Sequence, residues 1–152
     1  MKFAVRILSA VVLLNLLLFW GCSNDNSTNL KWYTNLDQAM KAAQKENKTI
    51  LVDFTGSDWC VWCKRLDKEV FSQGPFEKYA DNNLVLVKID FPEKIKQSES
   101  TIYYNRQLAQ KFGVQGFPTI YLLNPKGQII AQTGYQQGGA EAYVQHLKSL
   151  IM

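Results

Sequence analysis

Two cysteines near the middle of the chain, Cys60 and Cys63, have the clearest potential for chemistry in this sequence. A cysteine attacks disulfides as its thiolate, and an unperturbed thiol has a pKa of about 8.5. We predict a helix from about Cys60 to Phe71, so Cys60 lies where free N–H groups and the helix dipole favour negative charge. Cys63 follows one turn later on the same face. We therefore predict that Cys60 attacks and that Cys63 resolves the mixed disulfide.

The spacing of this pair argues against a structural or metal-binding role. A disulfide across a two-residue gap closes a very small loop and gains little chain entropy. A zinc-type site needs about four ligands, whereas the chain has one other cysteine, Cys22, and one histidine, His146. We therefore predict no metal. In a protein exported to an oxidising compartment, as the N-terminal residues described next indicate, a single pair at this spacing is typical of reactive cysteines.

The first 21 residues have the pattern of an export signal. Lys2 and Arg6 are basic, and the stretch from Ile7 to Trp20 is apolar except for two polar residues. It is shorter than the roughly 20 residues that span a bilayer, and it suits the hydrophobic region of a signal peptide. We therefore predict that residues 1–21 are a signal peptide.

The junction after this segment resembles the lipobox of bacterial lipoproteins. Gly21 directly precedes Cys22, and the resemblance implies that Cys22 is lipidated and becomes the mature N-terminus. Cleavage after Ser23 and an uncleaved anchor are the alternatives. All three place the rest of the chain outside the cytoplasm, and residues 22–29 are polar enough for a flexible tether.

Composition excludes several classes of protein. The 152 residues are 47% hydrophobic and 20% charged, with nine Gly and four Pro, which excludes collagen-like and wholly disordered chains. Without Lys2 and Arg6 the chain carries 15 basic and 13 acidic residues. This near-balance is not the charge pattern of a nucleic-acid-binding protein, and we expect no nucleic acid as partner.

Hydrophobic periodicity predicts one α/β domain over residues 30–152. Near-continuous apolar runs at 49–54 and 84–90 are typical of central strands covered on both faces. A turn at 124–127, with Pro second and Gly fourth, predicts a hairpin. The predicted strands are 31–33, 49–54, 84–90, 119–123 and 128–133, and the predicted helices are 36–43, 60–71, 102–112 and 142–151.

Four separated motifs occur in the chain: Val52-Asp53-Phe54, Trp59-Cys60-Val61-Trp62-Cys63-Lys64, Lys88-Ile89-Asp90 and Gly116-Phe117-Pro118-Thr119. In order and spacing they resemble the thioredoxin superfamily. Within it, the run Phe54-Thr55-Gly56-Ser57-Asp58-Trp59-Cys60 and the later Ile89-Asp90-Phe91-Pro92 resemble most closely the DsbH-type periplasmic thioredoxin-like reductases. The resemblance covers residues 30–152 and implies a thioredoxin fold, an α/β domain with a central mixed sheet flanked by helices.

Asp53 and Lys88 are candidates for proton transfer. A carboxylate in the otherwise apolar strand before Cys60 should be buried, with a raised pKa, and could take the proton of Cys63. The resemblance implies this role for Asp53, with Lys88 on the adjacent strand as its partner. The alternative is an Asp that hydrogen-bonds to backbone at a strand end.

The substrate-binding candidates are Trp59, Val61, Trp62, Phe117 and Pro118. The resemblance implies a cis bond before Pro118, which exposes the backbone of Phe117 for pairing with a substrate strand. Trp59 and Trp62, on either side of Val61, could form an apolar lip for peptide substrates. For Trp59, packing is an equal alternative.

The gap between the cysteines bears on the direction of electron flow. Strongly oxidising members of the superfamily have a histidine between the two cysteines, whereas this chain has Val61 and Trp62 there. The negative charge of Asp58 should also oppose a thiolate at Cys60. We therefore expect a reducing pair, with a potential closer to about −270 mV than to about −120 mV.

These features together predict an exported thiol–disulfide oxidoreductase that reduces protein disulfides. We expect a monomer without cofactor, attached to the membrane through its lipid and recharged by a membrane thiol electron donor. A disulfide oxidase or isomerase of the same fold is the alternative within this chemistry. A non-catalytic binding module and a metallochaperone are alternatives from other classes.

Overall fold

A mixed five-stranded sheet forms the centre of the structure, a computed structural model that describes residues 30–152. The strands are β1 (Trp32–Tyr33), β2 (Thr49–Thr55), β3 (Leu84–Asp90), β4 (Thr119–Leu123) and β5 (Ile129–Thr133). Their order is β1-β3-β2-β4-β5. Strands β1, β3 and β2 are parallel, and β4 and β5 are antiparallel to their neighbours.

Helices cover both faces of this sheet. They are α1 (Leu36–Glu46), α2 (Val61–Leu66), α3 (Gly74–Asn83), α4 (Glu99–Phe112) and α5 (Gly139–Ile151). Residues of α1 and α4 belong to one apolar core, and residues of α3 and α5 belong to the other. The predicted α/β fold, a central mixed sheet flanked by helices in a single domain, is confirmed.

The buried central strands match the apolar runs in the sequence. Every residue of β2 after Thr49 is buried, and β3 is buried apart from Lys88 and Asp90 at its end. Asp53 is therefore a carboxylate inside an apolar strand, as predicted. Burying an ionised carboxylate costs free energy, so the position of Asp53 indicates either a neutral carboxyl group or a chemical role.

Helix α3 was not predicted, because a Gly next to a Pro, as at Gly74 and Pro75, is typical of a break between elements. Pro75 instead lies in the first turn of the helix, where its missing N–H costs nothing. Phe76 and Ala80, four residues apart, then bury one face of the helix. Helix α4 also begins earlier than predicted, at Glu99, because the Ser98 side chain caps it.

The predicted helix over 60–71 has two parts. Helix α2 continues into a π-helical turn, Asp67–Phe71, in which the Ser72 N–H donates to the carbonyl of Asp67 five residues before it. Such wider turns often occur near functional sites. This one buries Val70 and Phe71.

The predicted signal peptide, Cys22 and the tether over 22–29 lie outside the described residues. Within residues 30–152, no helix is both long and apolar enough to cross a bilayer.

Candidate active site

Cys60 lies at the N-terminus of α2, as predicted. It is the N-cap residue, and its Sγ accepts the N–H of Cys63 at 3.1 Å. The preceding turn is fixed by the Cys60 N–H, which donates to the Gly56 carbonyl at 2.9 Å. Sulfur at this position faces the positive end of the helix dipole, which favours the thiolate.

Cys60 and Cys63 form a disulfide, with their Cα atoms 5.2 Å apart. Only 6% of Cys60 and 4% of Cys63 is exposed. Within the described residues no cluster of three or more His, Cys, Asp or Glu side chains is arranged to hold a metal ion.

A polar cavity of about 150 Å³ lies behind Cys63, and Asp53 is its most deeply buried acid. Only 3% of Asp53 is exposed, and its Oδ1 atom has no hydrogen-bond partner. Burial raises the pKa of Asp53 to about 7, against the opposing effect of the Lys88 charge. The cavity is polar and large enough to hold water.

Lys88 lies directly beside Asp53 in the parallel register of β2 and β3. Its ammonium group pairs with a different carboxylate, however, because Nζ lies 3.8 Å from Asp67 Oδ1. The same ammonium lies 5.0 Å from the centre of the Trp32 ring. Lys88 therefore acts on Asp53 electrostatically, whereas its ion pair is with Asp67.

Asp67 was missed by the sequence analysis. It lies in the π-helical turn and lines the same cavity as Asp53 and Cys63. Its negative charge is a further cause of the raised pKa of Asp53. The spacing could have revealed it, because a residue four after Cys63 shares its helix face.

Asp58 has a structural role that its proximity to Cys60 did not suggest. Its carboxylate accepts the backbone N–H groups of Glu93, Lys94 and Ile95 at 2.9, 2.7 and 3.0 Å. These hydrogen bonds, the one from Glu93 above all, lower the pKa of Asp58. The ionised carboxylate thereby fixes the segment after β3 against the turn that precedes Cys60.

Trp59 both packs and borders the site. Its indole N–H donates to the Phe91 carbonyl at 2.8 Å, and its ring packs edge-to-face with Phe117, with the ring centres 5.9 Å apart. Phe91 in turn stacks on Phe117 at 5.0 Å. The peptide bond between Phe117 and Pro118 is cis, as the family resemblance implied. These contacts join three loops around the cysteines.

Val61 and Trp62 form the exposed part of this rim. Val61 is 71% exposed and Trp62 is 50% exposed, although both are apolar. Trp62 packs against Tyr135, with ring centres 5.3 Å apart. An exposed apolar group beside a reactive disulfide suits contact with a polypeptide.

Comparison with known proteins places this geometry in a family. A model of the thioredoxin-like domain matches residues 36–151. The chain belongs to the thioredoxin-like family. Disulfide bond reductase DsbH of Chlamydia pneumoniae is 33% identical over 125 residues, which are 82% of this chain and 75% of that protein. A solved structure of a DsbH oxidoreductase matches with a TM-score of 0.76, covering 81% of this chain and 85% of the other.

A second relative supports the same chemistry over a shorter share of its length. Thiol:disulfide interchange protein DsbD of Pasteurella multocida is 32% identical over 122 residues, covering 78% of this chain and 19% of that protein. The paired cysteines and these relatives identify the chain as a thiol–disulfide oxidoreductase of the thioredoxin-like family.

Proposed function

We propose that this protein is an exported reductase of protein disulfides that cycles Cys60 and Cys63 between dithiol and disulfide. The observation that carries the proposal is the placement of the pair: one sulfur at a helix N-terminus and the other beside a cavity that contains a buried acid. The reductase named among the relatives supports the same direction.

The local charges favour a reducing pair. A strong oxidant needs extra stabilisation of its reduced thiolate form. Val61 and Trp62 carry no charge, and the carboxylate of Asp58 is engaged by three backbone N–H groups. The stabilisation of a Cys60 thiolate then comes mainly from the helix terminus and the Cys63 N–H, which supports a modest effect.

In the first step the Cys60 thiolate attacks one sulfur of the substrate disulfide. A bond forms between Cys60 and that sulfur, and the other substrate sulfur leaves as a thiolate that takes a proton from water. Phe117 presents its backbone to the substrate strand beside Pro118, while Trp59, Val61 and Trp62 contact the flanking side chains.

In the second step Cys63 resolves the mixed disulfide. Its thiol gives its proton to the Asp53 carboxylate, directly or through cavity water, and its sulfur attacks Cys60. The Cys60–Cys63 bond forms, and the second substrate sulfur leaves as a thiolate that is protonated through cavity water as Asp53 returns the proton it took. Two electrons pass from the enzyme to the substrate, and the two protons gained by the substrate equal the one that Cys60 released to water on ionising and the one that Cys63 gave to Asp53. Lys88 limits how far the pKa of Asp53 is raised and so keeps this base partly ionised.

The enzyme is then reduced again by a thiol donor of the membrane. We place the protein in the periplasm as a monomer, attached through a lipid on Cys22 after removal of residues 1–21. Metabolic labelling with a radioactive fatty acid tests this: wild type takes up the label and Cys22→Ser does not. Equal labelling of the two would contradict the anchor.

Trapping of the mixed disulfide tests the reaction itself. The Cys63→Ser variant, in the full chain kept in detergent, should form a stable disulfide through Cys60 with an oxidised protein substrate such as insulin. Wild type should release the reduced insulin chains instead, and Cys60→Ser should do neither. A Cys60→Ser variant that keeps full biological activity would favour a non-catalytic binding module and contradict the proposal.

A further inference from the structure

A charged and aromatic cluster lies next to the cysteine pair, and of its members only Trp62 has a role in the steps above. The Glu69 carboxylate accepts the Arg65 Nε–H at 2.6 Å through Oε1 and the Tyr135 hydroxyl at 2.6 Å through Oε2. The Arg65 guanidinium lies 5.5 Å from the ring centres of both Trp62 and Tyr135. We call these four residues, Trp62, Arg65, Glu69 and Tyr135, the Glu69 cluster.

The cluster joins separate parts of the chain at the exposed rim. Trp62 and Arg65 lie on α2, Glu69 lies in the π-helical turn, and Tyr135 follows β5. Both oxygens of the Glu69 carboxylate accept hydrogen bonds. These bonds lower the pKa of Glu69, and the one from Arg65 has a larger effect than the one from Tyr135. The carboxylate thus remains ionised at neutral pH and holds its two donors in fixed places.

Trp62 is the exposed aromatic member of the cluster. It is half exposed, lies between the two cysteines in sequence, and has Tyr135 packed against one side. A planar guanidinium stacked on an aromatic ring restricts the ring's rotamers. An exposed tryptophan without such support would lose more conformational freedom on binding.

We infer that Glu69 is a positioning residue that fixes Trp62, through Arg65 and Tyr135, in the orientation that docks polypeptide disulfides. This inference rests on the proposed function, because it assigns part of the substrate affinity of that site. Glu69 touches neither sulfur nor substrate. Its loss should therefore weaken binding of large substrates and leave the sulfur chemistry unchanged.

The size of the effect follows from the entropy of one side chain. Immobilising one side chain on binding weakens affinity by roughly two- to tenfold. Glu69→Gln keeps the shape and removes the charge, so it should raise KM for a protein disulfide by about that factor. Tyr135→Phe keeps the ring and loses one hydrogen bond, so its increase should be smaller.

Steady-state kinetics of the full chain in detergent test this, with insulin as protein substrate and a small aromatic disulfide as comparison. Glu69→Gln should raise KM for insulin while kcat, the rate with the small disulfide and the reduction potential stay at wild-type values. Glu46→Gln is the matched control, because it removes a carboxylate from the Glu46–Lys48 ion pair beyond the opposite end of β2 and should change nothing.

A double-mutant cycle separates positioning from general destabilisation. In the Trp62→Ala background, Glu69→Gln should have no further effect on KM, because the side chain that it positions is gone. An unchanged KM in the single variant, an additive effect in the double variant, or an equal loss with the small disulfide would each overturn the inference. If wild type itself does not reduce insulin, the proposed function fails and this inference fails with it.

Discussion

The two sides of the Cys60–Cys63 disulfide differ in character. On the inner side lie Asp53, Lys88 and Asp67 around a polar cavity, and one carboxylate oxygen of Asp53 has no hydrogen-bond partner. On the outer side the apolar Val61 and Trp62 are exposed beside the charged Arg65, and both carboxylate oxygens of Glu69 accept hydrogen bonds.

The inner side is suited to proton transfer, and the outer side is suited to binding the substrate; disulfide reduction needs both. An unpartnered, buried carboxylate can exchange a proton, whereas a carboxylate that accepts two short hydrogen bonds holds its donors in place. Variants of the inner side should change rates and their pH dependence. Variants of the outer side should change affinity for large substrates. The predictions below test this separation.

The largest expected effect is that of Asp53→Asn. Without the buried base, Cys63 must give its proton to water, and resolution of the mixed disulfide should slow roughly 100-fold at neutral pH. Stopped-flow measurement of insulin chain release would show this. Asp81→Asn, an exposed acid on α3, is the control. A rise in KM without a change in rate would contradict the separation.

The same substitution should change how stability depends on pH. Folding raises the pKa of Asp53 from its ordinary value of 3.8 to about 7, mainly through burial, so the folded state binds more protons between these values. The free energy of unfolding of the oxidised protein should fall by roughly 4 kcal/mol as pH rises through this range. Urea unfolding at pH 4 and pH 8 should show a clearly smaller fall for Asp53→Asn. Equal slopes would contradict the assignment.

On the outer side, Trp62→Ala should raise KM for insulin roughly tenfold, as loss of a central aromatic contact does. Its rate with a small disulfide and its pH profile should match those of wild type. The control is Tyr103→Ala, which removes an exposed aromatic residue from α4. A shifted pH profile for Trp62→Ala would mean that the two sides are coupled.

The smallest effect on the protein is expected for Asp58→Asn, which weakens the attachment of the segment after β3 to the turn before Cys60. Loss of the charge weakens three backbone hydrogen bonds, so Tm should fall modestly at neutral pH. Because these bonds lower the pKa of Asp58, its stabilising effect is present above pH 4 and disappears as the pH falls through its lowered pKa. A Tm difference that stays constant from neutral to strongly acidic pH would contradict this role.

Local patterns were sufficient to predict most of the fold and the reactive pair. Apolar runs located β2 and β3, and a two-residue gap at a predicted helix start located Cys60 and Cys63. The final helix shows the limit of such patterns, because it begins at Gly139, three residues earlier than predicted, and buries Tyr143 next to the exposed Ala142. The Tyr143 side chain reaches the core that α3 also lines, and α3 was not predicted.

What the sequence did not reveal depends on distant contacts. The Asp58 carboxylate accepts hydrogen bonds from N–H groups 35 to 37 residues away, and the Glu69 carboxylate accepts one from a hydroxyl 66 residues away. Spacing along one helix cannot show such partners. Asp67 is the exception, since its position relative to Cys63 was available from helical periodicity.

The reduction potential of the Cys60–Cys63 pair tests the central claim most directly. The full chain in detergent would be equilibrated against dithiothreitol or glutathione, and the oxidised fraction measured by thiol alkylation. We predict a potential near about −270 mV, which makes reduction of substrate disulfides favourable. A potential above roughly −180 mV, the range of disulfide isomerases, would contradict a reductase and favour oxidation or isomerisation.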